Sequence, residues 1–371
     1  MSDRSIVQVT LWNSPYLGNF MSSQIALARA VRERFGLATH FVLGPGGERQ
    51  PWLSELEGDG MTWSALAPGR RAWRSQLDQV IAERSAALVH SHFTAADPAA
   101  ANASHAAGVP CVWHVHTGFN GYPLITRAKD LVKMRLIARR RVARIIVVSP
   151  WLAEFVERRG APREKVEVVP NAIVFERFEQ LPDRAAARAR FGLDGDAQVV
   201  LGLGWWPEVK GVDVLVDAIA ALAERRQAPA LLLVGEEQMR TFLEQRYPRQ
   251  PRWLHTEGFV GDVETLYAAA DVFVSASRHE GQSTAIGEAA ACGLPVVMSD
   301  IAGTSGWAAA PAISTFASES PEALADELVG LLANTPQQLA ERGAANREWA
   351  REQMGIDAWC AQICATYRSL L

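Results

Sequence analysis

Ser277-Arg278-His279-Glu280-Gly281-Gln282-Ser283-Thr284-Ala285-Ile286-Gly287-Glu288-Ala289 is the stretch on which the fold turns. It follows a short apolar run at 271–275 and leads into an apolar helical pattern at 284–292. A strand that ends in a Gly/Ser-rich loop and opens a helix is the repeating unit of a parallel sheet. Gly281, Gln282, Ser283 and Thr284 fall at the helix start, where unpaired backbone N–H groups and the positive dipole end favour phosphate. Glu280 stands just before the helix and Glu288 about one turn inside it. Carboxylates repel phosphate, so their place here makes sense if they grip sugar hydroxyls. Taken alone, a helix start with a Glu in its first turns is a common structural feature.

The same unit occurs upstream. Gly202-Leu203-Gly204-Trp205-Trp206-Pro207-Glu208-Val209-Lys210-Gly211 follows an apolar run at 198–203 and opens a helix at 212–224. A lysine just before a helix can neutralise a diphosphate as a point charge, although a solvated loop lysine reads the same way. Further strands are expected at 230–234 and 295–298, with a helix at 263–270. Toward the N-terminus, strands are expected at 6–11, 40–43, 87–92, 109–115 and 144–148, with a helix at 21–34. Short apolar runs without clean alternation are what a parallel sheet covered on both faces requires. The segment 166–169, followed by Pro170-Asn171, breaks the rhythm with turn chemistry, and 321–371 reads as almost entirely helical.

The fold class is therefore α/β. Its domains are expected at 1–175 and 176–352, with 353–371 a helix that packs back on the first. The chain has 371 residues, 49% hydrophobic and 21% charged, which excludes disorder and fibre. No apolar run approaches the ~20 residues of a membrane span. The opening residues read as a first strand rather than a signal peptide. Cys111, Cys292, Cys360 and Cys364 form no C-x-x-C pair, so buried thiols in a reducing cytosol are expected. The net charge of −4 argues against a duplex-DNA binder. It also hides a division: residues 1–180 carry 22 Lys/Arg against 16 Asp/Glu, and residues 181–371 carry 15 against 25.

Several stretches, in order, resemble the retaining nucleotide-sugar glycosyltransferases of the GT-B fold, specifically glycosyltransferase family 4. They are Ala87-Leu88-Val89-His90-Ser91-His92, Trp113-His114-Val115-His116-Thr117, Val147-Val148-Ser149, Val168-Val169-Pro170-Asn171-Ala172, residues 204–211, Leu232-Leu233-Val234-Gly235, Gly258-Phe259-Val260 and residues 280–288. The resemblance implies two Rossmann-like parallel-sheet domains facing a central cleft, the first binding acceptor and the second the nucleotide-sugar. It implies that Glu288 binds the donor ribose. Glu280, with the amides of Gly281, Gln282, Ser283 and Thr284, would grip the donor sugar and phosphates. By the same correspondence Lys210 clamps the diphosphate, His116 reaches the donor sugar beside the reaction centre, and Gly18 lies in the loop after the first strand. The backbone of Gly258, Phe259 and Val260 falls where the family holds the base.

One position departs from the pattern. Five residues before the lysine the family usually places an arginine, and here stands Trp205. Its loss weakens leaving-group stabilisation unless Arg278 or another cation enters. Asn171-Ala172 likewise replaces the more usual Asn-Gly.

The expected reaction is retaining transfer of a hexosyl-type group from a nucleotide-diphosphate sugar to an acceptor hydroxyl, in synthesis of a cell-envelope glycan, polysaccharide or glycolipid. No cofactor or metal is expected, since Lys210 and helix N-termini supply the positive charge. Rival readings are a weakly active or non-catalytic nucleotide-sugar or glycan binder, motivated by Trp205, a soluble natural-product glycosyltransferase, and a GT-B epimerase. A metallohydrolase built on His90/His92 and His114/His116 is a further rival, because each pair sits at i, i+2 on one strand face. Acidic ligands near those pairs are scarce, with Asp97 and Asp130 the nearest in sequence. Residues 127–144 carry eight cations and one acid. Lys129, Lys133, Arg135, Arg139, Arg140 and Arg141 are its candidate membrane or acceptor contacts, Leu131, Val132, Leu136 and Ile137 give it an apolar side, and Tyr122-Pro123-Leu124-Ile125 a further anchor. Such density on one helix suits an anionic membrane surface. The expected location is the cytoplasm, peripheral on the cytoplasmic face of a membrane.

Overall fold

The computed structural model describes residues 4–92, 95–118, 124–225 and 228–371, the side chains of 124–127 excepted. The chain divides into two units, Met1–Ala172 with Ile356–Leu371, and Ile173–Gly355.

The first unit holds a seven-stranded parallel sheet in the order β3-β2-β1-β4-β5-β6-β7. Its strands are β1 (Ser5–Val9), β2 (Ala38–Leu43), β3 (Thr62–Ala65), β4 (Ala86–His92), β5 (Cys111–Val115), β6 (Arg144–Val147) and β7 (Val166–Val168). Side chains alternate across the sheet, so successive residues enter opposite cores. Ile6, Leu88 and Val112 pack against Trp359, Ile363 and Tyr367 of the C-terminal helix Ile356–Arg368. Val7, Val9 and Val89 face the other layer, with Leu77 and Ile81. Gln8, His90, His92 and His114 share parity with the first set. The face under the C-terminal helix therefore carries a row of polar rings at the carboxyl ends of its strands.

The second unit holds a six-stranded parallel sheet, β10-β9-β8-β11-β12-β13. Its strands are β8 (Val199–Leu203), β9 (Ala230–Val234), β10 (Leu254–Glu257), β11 (Val272–Ser275), β12 (Val296–Asp300) and β13 (Ile313–Ala317). Here Val199 and Leu201 enter one core while Val200 enters the other. In both sheets the strand order reverses beside the first strand, at β1/β4 and at β8/β11. Those reversals open the crevices in which doubly wound sheets bind ligands.

Three edge or near-edge strands carry no apolar signature strong enough to be expected from sequence. β3 and β10 are at sheet edges, four residues long each and mostly half-exposed, and β13 closes the far edge of the second sheet. The segment at 166–168, expected as a break, is the three-residue edge strand β7, half-buried at Val166 and Glu167 and exposed at Val168.

The basic segment also differs from a uniform surface helix. It runs as an α-helix Leu124–Val132, a π-helical turn Lys133–Ala138 and a last α-turn Arg139–Arg141. Lys133, expected at the surface, is buried instead. Its Nζ meets Asp97 Oδ2 at 2.7 Å and lies 4.8 Å from the centre of the Trp113 ring. Asp97 also accepts from Ser91 Oγ at 2.8 Å, and burial still leaves its carboxyl above the usual range despite these partners. Lys133→Ala strands that carboxylate and is expected to lower stability by about 3–5 kcal/mol at pH 7. Urea denaturation reads this, and Asp97→Ala added to it should restore most of the loss. Residues Tyr122 and Pro123, and the side chains of Leu124 and Ile125, lie outside the described residues.

Candidate active site

In the second unit, the loops after β8 and β11 meet at the strand-order reversal. Arg278 N–H donates to the Val209 carbonyl at 2.8 Å, and Arg278 Nη1 donates to the Glu208 carbonyl at 2.7 Å. Gly211 makes this approach possible. Its φ is +61°, and a Cβ there would lie 2.0 Å from the Ala276 carbonyl oxygen. The juxtaposition brings Lys210 Nζ to 2.6 Å from Glu280 Oε1. Ser277 Oγ donates to the same oxygen at 2.8 Å. Gly303 closes the other side of Glu280, where any side chain would strike the Glu280 carbonyl.

The helix Thr284–Ala291 starts immediately beyond, with Ser283 at its N-cap and no side-chain cap bond. Gly281 and Ser283 are buried, and Gln282 and Thr284 are half-buried. Glu288 projects from the helix interior, and Tyr267 Oη donates to its Oε2 at 2.9 Å. Burial raises the Glu288 carboxyl above its ordinary range, with Arg177 opposing that rise. Arg177 is itself paired with Glu264 at 2.7 Å. After β10, Phe259 is exposed and Val260 is buried in the core.

Arg278 and Trp205 bear on the missing arginine. Arg278 forms a two-point pair with Asp213 at 2.8 and 2.7 Å, which holds the Asp213 carboxyl below the usual range. Its guanidinium pins two loops together. Trp205 packs, half-buried, against the core beneath β8, while its neighbour Trp206 is exposed with a φ of +56°.

In the first unit, Gly18 begins the helix Gly18–Phe35 with a φ of +64°. His116 follows β5. Its ring lies 4.2 Å, centre to centre, from His114 and 5.3 Å from His92, and its side chain is hydrogen-bonded by Asn171. His92 Nδ1 lies 3.1 Å from His116 Nε2, and His92 Nε2 lies 3.0 Å from Gln8 Oε1. Burial lowers every ring of this group. His90 falls to about 3 and His116 to about 4, with His92 and His114 well below their usual value. All four are neutral at pH 7.

His90, His92 and His114 stand close enough for their nitrogens to hold a metal ion, within 4.8 Å of one another. Two features oppose that use. Both His92 nitrogens are already in hydrogen bonds, and the buried carboxylate of Asp97 is committed to Lys133 and Ser91. A dication here would sit among neutral rings without a counter-charge.

Comparison with known proteins fits this layout. The sequence profile of Glycosyltransferase Family 4 matches residues 25–177, and that of Glycosyl transferases group 1 matches residues 197–334. Over 300 residues the chain is 30% identical to D-inositol 3-phosphate glycosyltransferase 2 of Catenulispora acidiphila, a match spanning 75% of this chain and 69% of the relative. The chain belongs to glycosyltransferase family 4. A second relative of this family 4 member is the mannosylfructose-phosphate synthase of Agrobacterium fabrum, 31% identical over 244 residues. That match spans 57% of this chain and about half, 53%, of the relative. Among solved structures, Anabaena Alr3699/HepE in complex with UDP and glucose superposes with a TM-score of 0.83 at 21% identity, covering 99% of this chain and 100% of that one. The fold of this family 4 member is thus GT-B, two parallel-sheet α/β units.

Sequence reasoning did not single out Ser277, Tyr267, Gln8 or Tyr367. Ser277 lay inside the quoted loop, and a serine three residues before a glutamate is a local partner worth testing. Tyr267 and Tyr367 sit on helices at core-facing positions, where a tyrosine reads as apolar filling until its hydroxyl partner is known.

Proposed function

We propose that this protein transfers a hexosyl-type group, with retention, from a nucleoside-diphosphate sugar to an acceptor hydroxyl. The observation that carries the reading is the Lys210–Glu280–Ser277 cluster at the β8/β11 reversal, just before the helix that bears the half-buried Glu288. In this account the diphosphate takes Glu280's place beside the Lys210 ammonium and lies on the amides at the start of the helix Thr284–Ala291. Glu280 turns to the sugar hydroxyls, and Glu288, held by Tyr267, accepts from the ribose. The backbone of Gly258, Phe259 and Val260 borders the base.

Catalysis rests on charge placed where the leaving diphosphate develops it. A departing phosphate oxygen takes the acceptor proton on the face it leaves, so no side-chain nucleophile is needed. Trp205 removes one cation from this arrangement and Arg278 is engaged by Asp213, so Lys210 carries the diphosphate charge with the helix amides. UDP and glucose in the Anabaena relative's structure support a UDP-sugar as the first donor to try. Thermal denaturation with UDP-, GDP- and ADP-glucose tests the reading. One of them should raise Tm in the wild type and fail to do so in Glu288→Ala. A wild type unmoved by any nucleotide, with or without a sugar, contradicts it.

The acceptor is proposed to be anionic, bound by the first unit. That unit carries the positive half of the chain's charge, and both named relatives bear a phosphorylated sugar or polyol in their names. A lipid-borne acceptor is favoured by Val132 and Leu136, exposed by 54% and 50%, beside the exposed cations Lys129, Arg135, Arg139 and Arg140. Co-sedimentation with phosphatidylglycerol vesicles should therefore exceed that with phosphatidylcholine and fall with salt. Equal sedimentation with both would leave a soluble acceptor, from glycan or natural-product chemistry, as the reading.

A further inference from the structure

Residues from opposite ends of the chain converge on His116. Gln8 Nε2 donates to the Tyr367 hydroxyl at 2.9 Å, across 359 positions of sequence. With that lone pair used, the hydroxyl's own proton points to His90 Nδ1, 2.6 Å away. The other end of the Gln8 amide is its carbonyl oxygen, which accepts from His92 Nε2 at 3.0 Å. His92 therefore holds its proton on Nε2 and offers Nδ1 as an acceptor. The group facing Nδ1 at 3.1 Å is His116 Nε2, which must then donate. Every member of the chain except His116 is buried, at 1% exposure or less.

We propose that Tyr367, Gln8 and His92 are positioning residues that, with the Asn171 bond fixing the ring from elsewhere, hold His116 in a single tautomer, proton on Nε2. The proposal rests on the reading of His116 as the first unit's contact with the donor sugar. Turning the Gln8 amide over would reverse every donor in the chain. With the tyrosine hydroxyl present, that reversal demands tautomer exchange at His90, His92 and His116 together. A reversal that left His90 unchanged would strip its Nδ1 of the 2.6 Å bond from the Tyr367 hydroxyl, so the third ring must move with the other two. Without the hydroxyl, Gln8 is released from His90, and only the two nearer rings must change. The C-terminal helix, which supplies Tyr367, thus reaches His116 through three hydrogen bonds.

Two measurements on the full-length protein test this. Long-range proton–nitrogen NMR of histidine-labelled wild type should show His92 and His116 each as one tautomer, protonated on Nε2, from pH 6 to pH 8. In Tyr367→Phe, whose ring still fills the core, both should populate the second tautomer. If the wild type already interconverts, or if Tyr367→Phe leaves both rings unchanged while remaining folded, the relay is wrong. Gln8→Met, which keeps length but loses both hydrogen bonds, should reproduce the Tyr367→Phe spectrum.

The kinetic arm uses UDP-glucose, or whichever donor the thermal screen selects. Tyr367→Phe should lower kcat about tenfold with donor KM unchanged, yet leave kcat unchanged when made in His116→Ala. Equal losses in both backgrounds would mean that Tyr367 acts through the fold, which overturns the proposal. If His116→Ala itself costs nothing, the donor-contact reading of His116 fails, and the NMR result alone decides whether the relay exists.

Discussion

Lys210→Ala should reduce kcat/KM by about three orders of magnitude, the upper range for removing one preorganised charge from a transition state. Two effects combine. The ammonium proposed to face the leaving diphosphate is lost. In addition, the Glu280 carboxylate, 12% exposed and paired at 2.6 Å in the wild type, is left as an uncompensated anion at the proposed phosphate position. Lys210→Ala/Glu280→Gln removes that second effect and should recover part of the activity, about tenfold. Lys210→Arg keeps the charge but not its point-like reach, and should fall between the two. A loss smaller than tenfold in Lys210→Ala would mean that the diphosphate is held elsewhere.

The second large effect concerns pH. His40, His90, His92 and His114 are buried, with ring pKa values driven down, to about 4 for His40 and about 3 for His90. An unfolded chain protonates these rings near pH 6.5. Between that value and the folded ones, the unfolded state binds more protons, so stability falls as pH falls. At pH 5 each ring costs about 2 kcal/mol relative to pH 8, on the order of 8 kcal/mol for four. That rivals the whole stability of an ordinary domain, about 5–15 kcal/mol. Asp97, whose carboxyl burial raises, shifts in the opposite sense as one group against four. All four rings lie in the unit Met1–Ala172 with Ile356–Leu371. Hydrogen-exchange mass spectrometry from pH 8 to pH 5 should therefore show that unit opening first. Uniform protection in both units down to pH 4 would contradict the account.

The alternating order of strands and helices was legible because buried parallel strands are short, apolar and followed by loops that open helices. The helix Val212–Glu224 and the strand Ala230–Val234 fall where the apolar pattern puts them. Edge strands such as Leu254–Glu257 were not legible, since half-exposed strands mix His, Thr and Glu with little apolar character. At the candidate site, the loops that carry Lys210 and Glu280 could be read from their position between strand and helix, whereas the partners Ser277 and Tyr267 could not. Nothing local in the sequence links Tyr267 to Glu288 or Tyr367 to Gln8, because those contacts exist only once the sheet register is set. Lys133 shows the converse. Its neighbours in sequence are cationic and exposed, and only the π-helical turn and Asp97 across the fold bring it inside.

The central claim is that the second unit seats a nucleoside diphosphate between Lys210 and Glu288. Isothermal titration of UDP, GDP and ADP into the wild type, Glu288→Ala and Lys210→Ala tests it most directly. The account predicts one preferred base at a single site, with affinity lowered by about 100-fold in each variant through loss of hydrogen bonds to a charged group. Binding of equal strength in all three proteins would contradict it.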